Sequence, residues 1–186
     1  MENQKQPTCE ERIDAHLESR LSDLRLLFRG AELSDVKLVD DGTLDTVLRV
    51  GNYEHRLPDT ADYRDEETGE LDLVSLFEAE RDSINEALRE SLYDYGLAFD
   101  YVAPGTFDCQ AEGYFRYQLS YGGPSDEFRF FVNPDFSCHR IEYWFLDWFD
   151  GASRRLHGGE LALMLGVFEF FLAAGSVDSA YKKATE

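Results

Sequence analysis

The chain has 186 residues, and its 38 acidic and 18 basic residues give a net charge of −20 at pH 7. This length is enough to bury a hydrophobic core, and the 43% hydrophobic content indicates a packed globule rather than a disordered acidic tail. The charge argues against direct binding to DNA, RNA or anionic lipid, because such binders need an excess of Lys and Arg to displace counterions.

No segment of the sequence indicates export, a membrane span or a metal site. The first residues lack the apolar stretch of a signal peptide, and the longest apolar run, 161–175, is too short to cross a bilayer. Three cysteines, Cys9, Cys109 and Cys138, lie far apart and outside any C-x-x-C motif, which argues against a disulfide framework or a zinc site. We therefore expect a cytoplasmic protein without metal or cofactor.

The first third of the chain predicts a helix followed by short strands. Thr8 and Glu11 form a capping-box pattern, apolar residues then recur with helical spacing, and Gly30 supplies a stop, so the first helix should span about 9–29. A Gly-first pair beginning at Gly51, between two alternating segments, is typical of a hairpin. The strands are expected at 36–39, 47–50 and 53–57, and a polar, acidic loop at 58–69.

The remainder predicts a helix, a series of strands and a helical C-terminus. A helix fits 73–95, although Ser83 and Glu86 form a second capping-box pattern that would divide it in two. Alternating patterns then predict four strands separated by Gly- and Pro-containing turns, at 97–103, 114–121, 128–132 and 140–149. A helix from about 159 to 174 and a short one after Ser176 complete the chain.

These elements predict an α+β fold. Consecutive strands with short connections usually form an antiparallel meander. We expect a sheet of about four meandering strands plus an N-terminal hairpin, packed by three main helices. We also expect residues 1–186 to form a single domain, in which 31–72 is an added acidic hairpin and loop.

The negative charge is concentrated in one part of the chain. Residues 59–100 contain 14 acidic and 3 basic residues, a net charge of −11. Five acids recur at every fourth position of the predicted second helix, about 6 Å apart along its axis: Glu78, Asp82, Glu86, Glu90 and Asp94. The loop before it supplies a second row: Asp62, Asp65, Glu66, Glu67 and Glu70. Such a surface either faces water or takes the place of nucleic-acid phosphates, which recur about every 3.4 Å along one DNA strand.

Catalytic patterns are weak in this sequence. Glu142 and Asp147 lie an odd number of positions apart on a predicted strand, and Cys138 and His139 are adjacent, so neither pair should converge on one face. The sequence contains no Walker loop, dinucleotide fingerprint or G-x-S-x-G motif, and its histidines lack metal-ligand spacing. We therefore expect a protein without enzymatic activity.

Aromatic residues crowd the predicted sheet and allow two interpretations. Interleaved with Arg116, Arg129 and Arg140, they resemble the stacking platform of a single-strand binder. The same alternation is typical of a sheet whose face is buried by helices, and we favour that interpretation. Trp144 and Trp148 would lie opposite the other aromatic residues of the last strand, which predicts burial on both sides or an exposed face for a partner.

Three long motifs lie within 95–152: Y-G-L-A-F-D-Y-V-A-P-G-T-F, G-Y-F-R-Y-Q-L-S-Y-G-G-P-S-D-E-F-R-F and R-I-E-Y-W-F-L-D-W-F-D-G-A. In these motifs the chain resembles uncharacterised small acidic proteins carried on bacterial plasmids and integrative elements. That resemblance implies a mobile-element origin and assigns no catalytic residue. In charge and size, without a shared motif, the chain is also similar to anti-restriction and DNA-mimicking anti-CRISPR proteins.

Two functional hypotheses follow from these observations. In the first, the chain is a non-enzymatic inhibitor whose acids enter the basic nucleic-acid channel of a restriction enzyme or CRISPR effector, while it binds neither nucleic acid nor membrane itself. In the second, it is a protein–protein adaptor or antitoxin-like module that uses the aromatic sheet. A homodimer is compatible with either hypothesis. A third and weaker hypothesis is a hydrolase that uses Glu142 or His139.

Overall fold

The fold is α+β, as predicted, in a computed structural model that describes residues 7–39, 45–57 and 59–186. Within that part of the chain the helices are α1 (Cys9–Arg29), α2 (Leu73–Glu90), α3 (Leu92–Tyr95), α4 (Gly158–Ala173) and α5 (Ser176–Thr185). The strands are β1 (Val36–Val39), β2 (Thr46–Val50), β3 (Tyr53–Leu57), β4 (Ala98–Val102), β5 (Tyr114–Gln118), β6 (Ser125–Val132), β7 (Cys138–Asp147) and β8 (Asp150–Arg155). Residues 1–6, on which the signal-peptide expectation rests, and Pro58, the first residue of the predicted loop, lie outside the described residues.

The chain divides into two compact units. The larger unit combines the residues up to Ser22 with Tyr93–Glu186, and the smaller unit is Asp23–Leu92. The segment 31–72, expected to be an acidic addition, falls wholly within the smaller unit. The expectation of a single domain stays a prediction.

The core of the larger unit lies between its sheet and two helices. Strands β4 to β8 form an antiparallel meander in chain order. On one face, Phe168 of α4 contacts both Phe115 and Phe130, with ring centroids 5.9 and 5.1 Å apart. On the same face His16 of α1 stacks on Phe145 at 4.2 Å. These sheet aromatics are buried, because alternate positions of each strand point towards the helices.

The predicted meander is correct in kind, but it has five strands instead of four. Strand β7 ends at Asp147, two residues before the predicted end, and Trp148 and Phe149 form a two-residue turn into β8. Strand β8 was missed because its sequence, D-G-A-S-R-R, lacks the alternation of a half-buried strand, and only Ala152 is buried in it. This segment is therefore a strand because it pairs with β7, not because of its own sequence pattern.

The core of the smaller unit joins a three-stranded sheet to helix α2. The predicted hairpin of β2 and β3 is present, and β1 adds to it as an antiparallel edge strand. Leu48 and Val50 of the sheet pack in one cluster with Leu76, Ile84 and Leu88 of α2. This packing directs the opposite side of α2 towards solvent.

The two ends of α1 lie where the sequence predicts them, whereas α2 ends earlier than predicted. Thr8 and Glu11 make the reciprocal capping bonds that start α1, with the Thr8 N–H donating to the Glu11 carboxylate at 2.8 Å. Gly30 ends that helix with φ of 95°. The predicted helix 73–95 instead stops at Glu90, because the Ser91 hydroxyl donates to a carbonyl of the preceding turn, an arrangement that often bends helices.

Among the described residues, no single helix is long and apolar enough to cross a membrane. Helices α4 and α5 meet the length and composition requirement only together, across a bend of 73°.

Candidate interaction surfaces

The acidic side of α2 is exposed as the sequence predicts. Its four acids, Glu78, Asp82, Glu86 and Glu90, are all exposed and lie on the side of the helix away from its buried residues. None of the four makes an ion pair with a cation of the described chain. Asp94 is also exposed but lies in α3 and belongs to the larger unit, so the fifth position of the predicted series is not on this helix.

Arg89 of the same helix does not neutralise this side. Arg89 is directed towards α1, where its guanidinium lies 5.8 Å from the Phe28 ring centroid and donates to the Phe28 carbonyl oxygen at 3.5 Å. Glu80 is the acid of α2 that is withdrawn from the surface, since it lies 2.9 Å from His55 Nε2. The smaller unit as a whole carries 19 acidic and 8 basic residues.

The five acids of the preceding loop are exposed too, but the loop is more ordered than predicted. Arg64 and Leu71 form an isolated antiparallel bridge that closes the segment. Within it, the Asp65 carboxylate accepts from the Thr68 N–H and hydroxyl and from the Glu67 N–H, which lowers the pKa of Asp65. Four carboxylates are thus held in a defined turn, namely Asp65, Glu66, Glu67 and Glu70, and Asp62 lies just before it in a 3₁₀ helix over Ala61–Tyr63.

The aromatic sheet is not the stacking platform of a single-strand binder. Its helix-side rings are buried: Phe115, Tyr117, Phe128, Phe130, Tyr143 and Phe145. On the other face the three interleaved arginines are already bound to carboxylates. Arg116 pairs with Asp100 at 2.6 Å, Arg129 with Glu127 at 2.6 Å and Arg140 with Glu112 at 2.5 Å. A nucleic-acid strand would have to displace these carboxylates from the arginines. The arginines of this face therefore contribute to packing within the protein rather than to nucleic-acid binding.

Trp144 takes part in that internal packing. The Arg129 guanidinium lies 3.8 Å from the Trp144 ring centroid and 4.7 Å from that of Tyr114, so it is sandwiched between the two rings. An adjoining pocket of about 580 Å³ lies under the loop between β4 and β5. Because its two arginines, Arg129 and Arg140, are already paired, the pocket offers no free cation to a ligand.

The three most exposed aromatic residues of the described chain lie at one end of the larger unit's sheet and form what we call the aromatic tip. Tyr121 precedes β6, while Trp148 and Phe149 form the turn between β7 and β8. Their exposed fractions are 86%, 85% and 103%. The two turns meet because the start of β6 pairs with the end of β7, and the Trp148 indole lies against Gly123 so closely that a Cβ there would be 2.6 Å from its nitrogen.

Polar contacts hold the aromatic tip in place. Asp147, just before the turn, pairs with Arg12 at 2.8 Å. Asp150, just after it, accepts from the Cys9 N–H at 2.6 Å and so caps the start of α1. Trp148 itself has φ of 54°, a conformation that residues other than glycine, asparagine and aspartate rarely adopt.

A buried carboxylate orders the neighbouring turn. Asp126 is 2% exposed and accepts hydrogen bonds from Arg20, Ser120 and Tyr143. Burial alone would raise its pKa, but these three donors outweigh burial and lower the pKa below the usual value. Because Ser120 immediately precedes Tyr121, this network fixes the backbone from which that ring projects.

Three of the residues considered for catalysis have structural partners instead: Cys138, Glu142 and Asp147. Burial raises the pKa of the Cys138 thiol to about 11, which disfavours a thiolate nucleophile. Glu142 lies 3.2 Å from Arg140 and accepts from the Trp144 indole nitrogen, and Asp147 is held by Arg12. No group of three or more metal-ligating side chains occurs in the described part of the chain.

No protein-family model, no curated protein and no solved structure matches this chain. The resemblance of 95–152 to plasmid-borne proteins and the physical likeness to DNA-mimicking inhibitors therefore stay predictions.

Proposed function

We propose that this chain is a non-enzymatic, cytoplasmic inhibitor encoded by a mobile element, which blocks the basic nucleic-acid-binding channel of a host defence protein such as a CRISPR effector or a restriction enzyme. The smaller unit presents carboxylates where the target expects phosphates. The observation that carries this proposal is the exposed acidic surface between residues 62 and 90, in which ten carboxylates lack a described ion pair.

The charge arrangement supports binding to a basic partner in particular. Like charges four residues apart on a helix destabilise it, so the acids of α2 are not explained by the stability of the helix. Salt bridges that would neutralise them are absent among the described residues, and their field therefore extends into solvent. A basic channel gains from this field through electrostatic steering and the release of counterions on contact.

The test is competition with DNA for purified targets, a guide-loaded CRISPR effector and a restriction enzyme. Fluorescence anisotropy of labelled DNA would be followed from about 50 to about 500 mM NaCl, a range over which phosphate-mimicking contacts weaken steeply. The acidic variant Asp82→Asn, Glu86→Gln, Glu90→Gln should lose competition. The control variant Glu169→Gln, Asp178→Asn, Glu186→Gln changes the net charge equally, at exposed positions of the larger unit, and should compete normally.

Two results would contradict the proposal. One is tight binding that is insensitive to salt and survives the acidic variant. The other is an equal loss in the acidic and control variants, because net charge rather than this surface would then be responsible.

The aromatic tip favours a second candidate, a protein–protein adaptor or antitoxin-like module. In that case the exposed rings of the tip, rather than the sheet face, supply the contact. Trp148→Ala should then abolish partner binding while the acidic variant leaves it unchanged.

A further inference from the structure

We propose that the pocket under the loop between β4 and β5 binds a small, uncharged aromatic molecule that carries a hydrogen-bond acceptor, such as a carbonyl oxygen. The pocket lies wholly within the larger unit, uses none of the acids of the smaller unit and does not depend on the proposed inhibition. Loop residues from Phe107 to Glu112 form one wall, and strands β5, β6 and β7 supply the rest: Tyr114, Arg129, Phe131, Arg140 and Trp144.

The pocket has the size of a ligand site, and its loop wall is ordered. Its volume of about 580 Å³ falls within the roughly 300–1,000 Å³ of pockets that hold small molecules. The side-chain nitrogen of Gln110 donates to the carbonyl oxygens of Ala103 at 3.0 Å and Glu112 at 2.8 Å. Its side-chain oxygen accepts from the Phe107 N–H at 3.1 Å. Gln110 therefore fixes the loop wall before a ligand arrives.

One hydroxyl among the lining residues has no hydrogen-bond partner. Tyr114 is 1% exposed, and its Oη is buried without a partner in the described part of the chain. Buried polar groups are nearly always hydrogen-bonded, because a group without a partner has lost its bonds to water and gained nothing in return. Burial also raises the pKa of Tyr114, so the hydroxyl keeps its proton near neutral pH and can donate it. A ligand in this pocket would supply the missing acceptor.

Arg140 contributes a second unbonded donor beside the first. Its Nη2 binds Glu112, but its Nε is buried and makes no hydrogen bond to the described residues, although Glu142 Oε1 lies 3.2 Å away. The Arg140 guanidinium lies 3.7 Å from the Phe131 ring centroid, and the Tyr114 ring centroid lies 5.5 Å from it. Both unbonded groups thus belong to side chains that pack on Phe131. Because an arginine nitrogen donates and never accepts, an acceptor suits both groups.

The other lining side chains favour a planar ligand. Small-molecule pockets are typically lined by apolar and aromatic side chains, with a few polar groups that fix the ligand's orientation. Aromatic rings also bind other rings through stacked or edge-to-face contacts. Four aromatic side chains line this pocket, next to the two unbonded donors: Phe107, Tyr114, Phe131 and Trp144.

The charges around the pocket favour an uncharged ligand. Arg129 lies 2.6 Å from Glu127, and the Arg140 guanidinium lies 2.5 Å from Glu112, so each arginine already has a carboxylate. An anion would compete with those carboxylates and would meet Asp108, a further acid of the lining. A cation has no acceptor to offer the Arg140 Nε. A neutral carbonyl group satisfies the donors without either cost.

The experiment measures the binding of four probes that share one benzene ring and differ in a single group: benzamide, benzoate, benzylammonium and toluene. Every protein is the full chain with Trp148→Phe, which leaves Trp144 in the pocket wall as the only tryptophan, so that its fluorescence reports saturable binding. Tyr114→Phe removes the unbonded hydroxyl and keeps the ring. Tyr93→Phe is the matched control, at a residue that is 47% exposed and does not line the pocket.

We expect benzamide to bind at least about tenfold more tightly than the other three probes, because it alone is uncharged and offers an acceptor. Tyr114→Phe should weaken benzamide binding about fivefold and reduce its advantage over toluene. Tyr93→Phe should bind benzamide as the parent protein does.

Thermal unfolding without ligand separates binding from a structural role of the hydroxyl. Tyr114→Phe should not lower the unfolding temperature, because the hydroxyl makes no hydrogen bond to the described residues. Tyr143→Phe should lower it, because the Tyr143 hydroxyl donates to the buried Asp126 carboxylate at 2.8 Å.

Each other outcome overturns the inference. If benzamide produces no saturable change, or Tyr114→Phe binds it equally well, the hydroxyl does not form a ligand site. If toluene binds as tightly as benzamide, the pocket selects apolar rings without regard to an acceptor. If benzoate or benzylammonium binds more tightly, the reasoning from charge is wrong. If Tyr114→Phe is destabilised as much as Tyr143→Phe, the hydroxyl already has a partner, such as an ordered water molecule.

Discussion

Replacing Asp82 with asparagine should stabilise the smaller unit. At helical spacing Asp82 has Glu78 four residues before it and Glu86 four residues after it, both exposed and both negative. Its other helical neighbours, Ala79 and Asn85, are uncharged, so the substitution sacrifices no favourable pair. Asparagine and aspartate have similar helix propensities, which leaves charge as the main difference.

The magnitude follows from the number of repulsive pairs. Each like-charge pair at this spacing costs about 0.2–0.5 kcal/mol, and Asp82→Asn removes two of them. We therefore expect the free energy of unfolding to rise by about 0.4–1.0 kcal/mol at low salt. At 1 M NaCl, where the Debye length is about 3 Å, the gain should largely disappear.

Urea unfolding followed by circular dichroism measures this gain as a shift of the midpoint at constant slope. Asp178→Asn is the matched control with the opposite sign. Asp178 lies in the first turn of α5, with Lys182 four residues later, so its charge stabilises the helix and its loss should lower the midpoint. A salt-independent gain in Asp82→Asn, or a loss of stability, would refute the electrostatic reasoning.

Three further predictions concern single residues. Asp126→Asn should lower the free energy of unfolding by about 2–4 kcal/mol at pH 7. Because the pKa of Asp126 is lowered in the folded state, the extra stability of the wild type is complete above about pH 5 and is lost as the pH falls below about 4. Unfolding curves of both proteins measured over this pH range would show the loss. Gly30→Ala should destabilise by at least about 1 kcal/mol in thermal unfolding, because φ is 95° and the new Cβ would lie 2.5 Å from the Asn85 side chain. At pH 8 a thiol reagent should modify exposed Cys109 first, and mass spectrometry that finds Cys138 modified equally fast would contradict its partial burial and its pKa of about 11.

The sequence was sufficient where the decisive signal is both local and distinctive. The capping pair of Thr8 and Glu11 lies within one helical turn, so the start of α1 could be predicted. The exposure of Asp82 and Glu86 could be predicted because the apolar residues of α2 determine which side of the helix faces the sheet. A bond within one helical turn also ends α2, but Ser91 is a common residue in helices and gives no distinct stop signal.

The aromatic tip could not be predicted for the opposite reason. The alternating pattern continues to Phe149, so sequence alone extends β7 through the turn. The contacts that flank the turn come from Arg12 and Cys9, which lie 135 and 141 positions away in the chain from Asp147 and Asp150. Only the tertiary fold brings those partners together. Strand β8 could not be predicted for the same reason, because it depends on pairing with β7.

The turn that precedes α2 has a consequence for how its charges can change. Asp65 shapes the loop through the Thr68 and Glu67 N–H groups, and Asp72 caps α2 through the N–H groups of Val74 and Ser75. Local hydrogen bonds lower the pKa of both carboxyls, so both keep their charge into acidic solution. A substitution at Asp65 or Asp72 therefore changes both the backbone conformation and the charge, whereas a substitution at Glu66 changes the charge alone. Sequence change in this loop is therefore constrained at the two aspartates and free at the glutamate, even though all three contribute the same charge.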